Sequence, residues 1–117
     1  MEVKFVRVGS TLIVRMAGEL DHHAAEILRT KIDAKLKREG VRDLLFDFQK
    51  VQFMDSSGLG MVLGRYKLVS AQGGKVLACG LNPRVKRIFE MAGLQKRIII
   101  CRSEEEALRE HRGEKDG

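Results

Sequence analysis

Apolar and polar positions change rhythm several times along the chain, and each change marks an element. From Val3 to Val8 the apolar residues alternate: Val3, Phe5, then Val6 and Val8. Gly9-Ser10 is a turn signal, and TLIVRMA (11–17) is again apolar and β-rich, so the start reads as a hairpin. Gly18-Glu19-Leu20-Asp21 breaks the strand pattern, and Asp21 is suited to cap a helix by accepting from free backbone N–H groups. Ala25, Leu28, Ile32 and Leu36 then recur at helical spacing, with Arg29, Lys31, Asp33, Lys35 and Lys37 on the other face. Gly40 supplies a left-handed stop.

The second half repeats this alternation. Leu44 to Phe48 is a short apolar strand that should be buried on both faces, and Val51 to Met54 leads out of it. Asp55-Ser56-Ser57-Gly58 is a run of helix-capping residues, followed by Leu59, Val62, Leu63, Tyr66 and Val69 at helical spacing. Gly73-Gly74 ends that helix and Lys75 to Cys79 is another strand. Asn82-Pro83 opens a third helix with Val85, Ile88, Phe89 and Ala92 inward, and Gly93 stops it. Ile98 to Cys101 is a last strand, and Ser103 with Glu106 forms a capping box for a short final helix. The order β-β-α-β-α-β-α-β-α predicts an α/β fold: a small mixed β-sheet of about five strands with about four covering α-helices.

With 117 residues the chain has the length of one domain and can bury a core without disulfides or metals. Residues 1–110 read as that domain and 111–117 as a charged C-terminal tail. A composition 44% hydrophobic and 32% charged argues against disorder. The apolar runs are too short and too often broken by charge to span a bilayer. The first residues lack the apolar core of a signal peptide, so a cytoplasmic location is expected. Net charge is +6, with Lys and Arg dispersed singly and in pairs over residues 1–102 and Asp and Glu in excess after 103. One Tyr and no Trp leave few stacking platforms, so the positive surface reads as solvated rather than as a nucleic-acid site. Cys79 and Cys101 lie in apolar settings and read as reduced structural thiols.

The most informative stretch is Phe53-Met54-Asp55-Ser56-Ser57-Gly58-Leu59-Gly60, a strand exit that opens a helix. A helix start carries unpaired N–H groups and partial positive charge, so a phosphate on a serine there meets a favourable field. At about 100° per residue, Ser57, Met61, Gly64 and Leu68 fall opposite the apolar stripe, flanked by Gly60 and Arg65. Gly60 and Gly64 each cost a helix roughly 1 kcal/mol relative to Ala. Close approach of a partner would account for them; packing against a neighbouring helix of the same domain is the alternative. Enzymatic signatures are incomplete. A nucleophile elbow around Ser57 needs Gly where Asp55 stands, and the third glycine of a dinucleotide fingerprint falls at Leu63. His22 or His23 could in principle meet Ser57 in a triad, but two histidines in a first helical turn are more often surface or capping residues. Three His and two Cys without close spacing give no metal signature.

GELDHHAAEILR (18–29), FMDSSGLGMVLGRYK (53–67) and NPRVKRIFEMAGL (82–94) resemble the anti-sigma factor antagonists of spore-forming bacilli, which are STAS-domain proteins. The resemblance is strongest to antagonists of the sporulation sigma-F system and covers about residues 3–110. It implies a regulatory protein rather than an enzyme. The unphosphorylated form would bind the nucleotide-bound anti-sigma factor, a serine kinase that carries ATP or ADP and magnesium itself, and so free the sporulation sigma factor. By the family motif, Ser57 is the phosphoacceptor, with Ser56 as competitor and helix cap; a separate serine phosphatase restores the active form. The docking surface implied comprises Asp21, Asp55, Ser56, Ser57, Gly58, Gly60, Met61, Gly64, Arg65 and Leu68. Asp21 would be a cap, a kinase contact or both. No cofactor or metal of its own, no nucleic acid, no membrane and no direct contact with the sigma factor are expected, and the free protein is expected to be a monomer. The alternative is a STAS-type nucleotide-binding regulatory protein, for which the chain offers no P-loop or magnesium carboxylate cluster.

Overall fold

The computed structural model describes residues 1–38 and 40–116, with side chains through residue 111. In chain order it contains β1 (Glu2–Val8), β2 (Thr11–Leu20), α1 (His22–Arg38), β3 (Asp43–Met54), α2 (Ser56–Ala71), β4 (Val76–Cys79), α3 (Pro83–Met91), a 3₁₀ turn (Leu94–Lys96), β5 (Ile99–Cys101) and α4 (Glu104–Asp116). The strands form one five-stranded sheet in the order β1-β2-β3-β4-β5. β1 and β2 pair antiparallel and the other three pairings are parallel. The α/β class, the mixed sheet and the four helices agree with the order read from the sequence.

Strand order dictates where the helices go. Each of the three parallel crossovers moves one strand over in the same direction, and such crossovers are right-handed. α1, α2 and α3 therefore share one face. Alternate residues of the central strands serve that face: Leu12, Val14 and Met16, then Leu44, Phe46 and Phe48, then Val76 and Ala78 join Leu28, Ile32, Val62 and Phe89 in the main core. The intervening residues Ile13, Leu45, Leu77 and Cys79 point to the opposite face, where Ala107 of α4 covers them with Cys101. Both faces of β3 are thus filled from Leu44 to Phe48, as its apolar stretch requires.

The local stops operate as their residues predict. Gly40 and Gly93 adopt φ of 61° and 72°. Asn82 accepts from the Val85 N–H at 2.8 Å, and Ser103 Oγ accepts from the Glu106 N–H at 3.1 Å. Three features differ from the sequence reading. β2 continues through Gly18-Glu19 to Leu20, and β3 is one strand from Asp43 to Met54, because pairing between the two carries their polar stretches in the sheet. The pairing skips twice: Arg15 and Ala17 face Asp47 and Lys50, then Gly18 and Glu19 face Val51 and Phe53. Each skip is a bulge with an extra residue on β3. α4 is longer than a short helix and runs to Asp116, into the segment read as a tail, of which the side chains of 112–116 and the whole of residue 117 lie outside the described residues. Among the described residues, no helix is long and apolar enough to cross a membrane.

Candidate functional site

β2 and β3 end side by side, and this places the site. Leu20 and Met54 are register partners, and the Asp55 N–H donates to the Leu20 carbonyl at 3.3 Å. Each strand then turns into a helix through an aspartate. Asp21 Oδ1 accepts from the Ala24 N–H at 2.9 Å. Asp55 is extended, at φ −99° and ψ −174°, and its Oδ1 accepts from the N–H groups of Ser57 and Gly58 at 2.9 and 3.1 Å. Two helix N-termini, each with its positive dipole end, therefore lie next to each other. Gly58 is buried in the junction between them. A Cβ there would sit 2.7 Å from Leu20 Cγ and Met54 Cγ and 2.8 Å from the Leu20 carbonyl oxygen, so only glycine fits.

This geometry corrects two sequence expectations. The cap of α2 is Asp55 and not Ser56, because Asp55 holds the extended backbone from which a side-chain oxygen reaches back to the helix N–H groups. Ser56 is the exposed first residue of the helix. The N–H groups of Ser57 and Gly58 are moreover already used by Asp55, so the end of α2 offers an anion less than a bare helix start would. Ser57 itself is partly exposed, and its Oγ lies 3.1 Å from Nδ1 of His22 at the start of α1. The sequence had raised a histidine beside this serine only within a triad. No carboxylate completes one among the described hydrogen bonds; Glu26, the nearest acid along α1, pairs with Arg29 at 3.0 Å.

The outer stripe of α2 is also divided. Met61 and Arg65, read as lying on a free surface, are buried, with 5% and 7% exposure, because α1 lies alongside α2. Arg65 Nε stands 2.9 Å from Asp33 Oδ1 of α1, off the hydrogen-bond axis, and burial lowers the Arg65 pKa against the pull of Asp33. On the inner stripe Val62 and Val69 are buried, while Leu59, Leu63 and Tyr66 are partly buried against the core. What remains open is Ser56, Ser57, Gly60, Gly64 and Leu68, with Asp21 and His22 at one end. A Cβ on Gly60 or Gly64 would meet nothing within 4 Å, so no contact inside the protein requires glycine at either place. Beside them a shallow cleft of about 250 Å³, lined by His22, Glu26, Arg29, Ser57 and Gly60 among others, separates α1 from α2.

The opposite face of the sheet holds a second polar cluster. Arg15 makes two 2.8 Å bonds to Glu104 at the start of α4. Burial, then the hydrogen bond with Glu104, raises the Asp47 pKa to about 6; the bond to Arg15 lowers that of Glu104. Cys79 and Cys101 are free, buried and paired in register, and burial raises both thiols, Cys79 to about 12. Cys101, Glu110 and His111 have potential ligand atoms within 4.8 Å of one another, a proximity made across β5 and α4 that sequence spacing cannot display.

The STAS domain model matches residues 2–107. The anti-sigma F factor antagonist of Paenibacillus polymyxa is 40% identical over 110 residues, covering 94% of each chain. The anti-sigma factor antagonist SpoIIAA in its unphosphorylated form superposes with a TM-score of 0.86 at 35% identity, over 96% of this chain and 97% of that one. The Bacillus cell fate determinant SpoIIAA in its phosphorylated form superposes with a TM-score of 0.77 at 34% identity, over 93% and 98%. The family model spans nearly the whole chain and the fold recurs in relatives named as antagonists, so this chain belongs to the STAS family, among the anti-sigma factor antagonists.

Proposed function

We propose that this protein, in its unphosphorylated form, binds a nucleotide-bound anti-sigma factor and releases the sporulation sigma factor that it holds. The anti-sigma factor is also the serine kinase that inactivates the antagonist by phosphorylating Ser57, and a serine phosphatase reverses the step. The observation that carries this reading is the position of Ser57: a partly exposed hydroxyl on the first turn of α2, at the edge of a surface whose glycines no internal contact explains. The names of the relatives support the partner, and the phosphorylated form of SpoIIAA supports the modification. ATP, ADP and magnesium belong to the kinase; Asp21, Ser56, Gly60, Gly64 and Leu68 contribute the surface that meets it.

The switch needs no refolding. Phosphorylation adds a charge of about −1.5 to −2. The new group lies beside Asp55, whose carboxylate is already committed to the helix end. In the free protein water screens the two. In a complex both must lose water, and like charges at close range then cost several kcal/mol. A thousandfold loss of affinity requires only about 4 kcal/mol.

Incubation with the cognate anti-sigma factor and Mg-ATP, followed by mass spectrometric mapping, is expected to place one phosphate on Ser57. Ser57→Ala should bind the anti-sigma factor and take no phosphate; Ser57→Asp should bind more weakly with unchanged circular dichroism. Modification elsewhere, or equal affinities of the two variants, would reject the reading.

A further inference from the structure

We infer that His22 is the receiving group for a phosphate on Ser57, holding it at the junction of α1 and α2. This rests on the reading of Ser57 as the modified residue and names what the protein does with the group once it is attached. The His22 ring is already in place, with Nδ1 3.1 Å from Ser57 Oγ. A phosphoryl group on Oγ extends from that atom, so its terminal oxygens come within reach of the same ring nitrogen, which then donates to them. Such a charge-assisted bond is stronger than the neutral one it replaces.

The surroundings leave few other side chains for this role. The N–H groups of Ser57 and Gly58 are occupied by Asp55, which also repels an anion. Asp21, just ahead of α1, is likewise acidic, and its carboxylate accepts from the Ala24 N–H. Of the cations lining the cleft, Arg29 hydrogen-bonds Glu26, and Arg65 is buried in charge contact with Asp33, its Nε and Nη1 making no hydrogen bond. His23 is the neighbouring residue on α1, and no hydrogen bond joins it to Ser57 among the described residues. His22 is the side chain positioned on the reacting oxygen before any charge arrives. Holding the phosphate there keeps its charge over the mouth of the cleft and beside Gly60, on the surface that a partner would cover.

The test uses the full chain with phosphoserine installed at position 57 during translation, so that no kinase is needed. The second ionisation of the phosphate is followed by 31P NMR as pH is varied. A donor at Nδ1 stabilises the dianion, so the midpoint in the otherwise wild-type phosphoprotein should lie about half a pH unit below that of the same protein carrying His22→Ala. His23→Ala should keep the wild-type midpoint. Equal midpoints with and without His22, or a shift produced equally by His23→Ala, would overturn the inference. Failure of the proposed function shows separately, as a wild-type chain that its kinase does not phosphorylate on Ser57.

Discussion

Replacing Gly58 by alanine puts a methyl carbon 2.8 Å from a backbone carbonyl oxygen that has nowhere to go, since Leu20 is fixed in the sheet. Gly58→Ala is expected to lower stability by about 1–3 kcal/mol, the usual cost of overpacking, measured as a lower urea midpoint. The motif made the capping run and the glycine legible in the sequence, but not which aspartate or serine oxygen faces which N–H. A second single-residue consequence concerns Asp47. In the folded protein it keeps its proton up to about 6, against an ordinary 3.8, because burial and Glu104 oppose its charge. Between those values folding takes up a proton, so this group's contribution to stability is present at low pH and is lost as pH rises through about 6. Glu104 works in the opposite sense, since Arg15 holds its pKa down and that stabilisation is lost as pH falls. Asp47→Asn keeps an acceptor for the Gln49 N–H and removes the charge. Its urea midpoint should therefore gain on that of the wild type between about pH 4 and 7. A constant difference over that range would contradict the assignment.

For a helix, the question is how much of its circumference neighbours cover. α2 lies on the sheet and against α1 at once, so its buried arc includes Met61 and Arg65 as well as Val62 and Val69. Hydrophobic spacing identified the sheet-facing arc. It could not identify the α1-facing arc, because that depends on a separate helix earlier in the chain, and because an arginine in charge contact with Asp33 carries no apolar signal. Gly60 and Gly64 lie outside both arcs, where an added methyl group meets open space. Alanine at either should stabilise α2 by up to about 1 kcal/mol. If a partner approaches there, the same substitutions should weaken binding to the anti-sigma factor severalfold. Thermal melts and titrations on the same two variants should therefore move in opposite directions, and tighter or unchanged binding would remove the glycines from the docking surface. Helix ends were legible because caps and left-handed glycines act within four residues. Strand ends were not, since the exit of β2 through Gly18-Glu19 depends on hydrogen bonds to a strand still to come.

Across the whole molecule, the sheet separates two packed layers. α1, α2 and Ser57 occupy one face; α4 is clamped to the other by Arg15 and Glu104. Arg15→Ala should accelerate amide exchange at the start of α4 while the rate of Ser57 phosphorylation stays as it was; a parallel fall in that rate would show that the faces are coupled. The two bulges of β3 bear on the same arrangement. β3 spends twelve residues where β2 spends ten, and the surplus brings both strands to their helices at one level. Deleting either surplus residue would retract the serine by about 3.3 Å relative to the histidine and turn the following side chains through to the wrong side of the sheet. The spacing between an imidazole and a hydroxyl is thus measured out by a length of strand that touches neither.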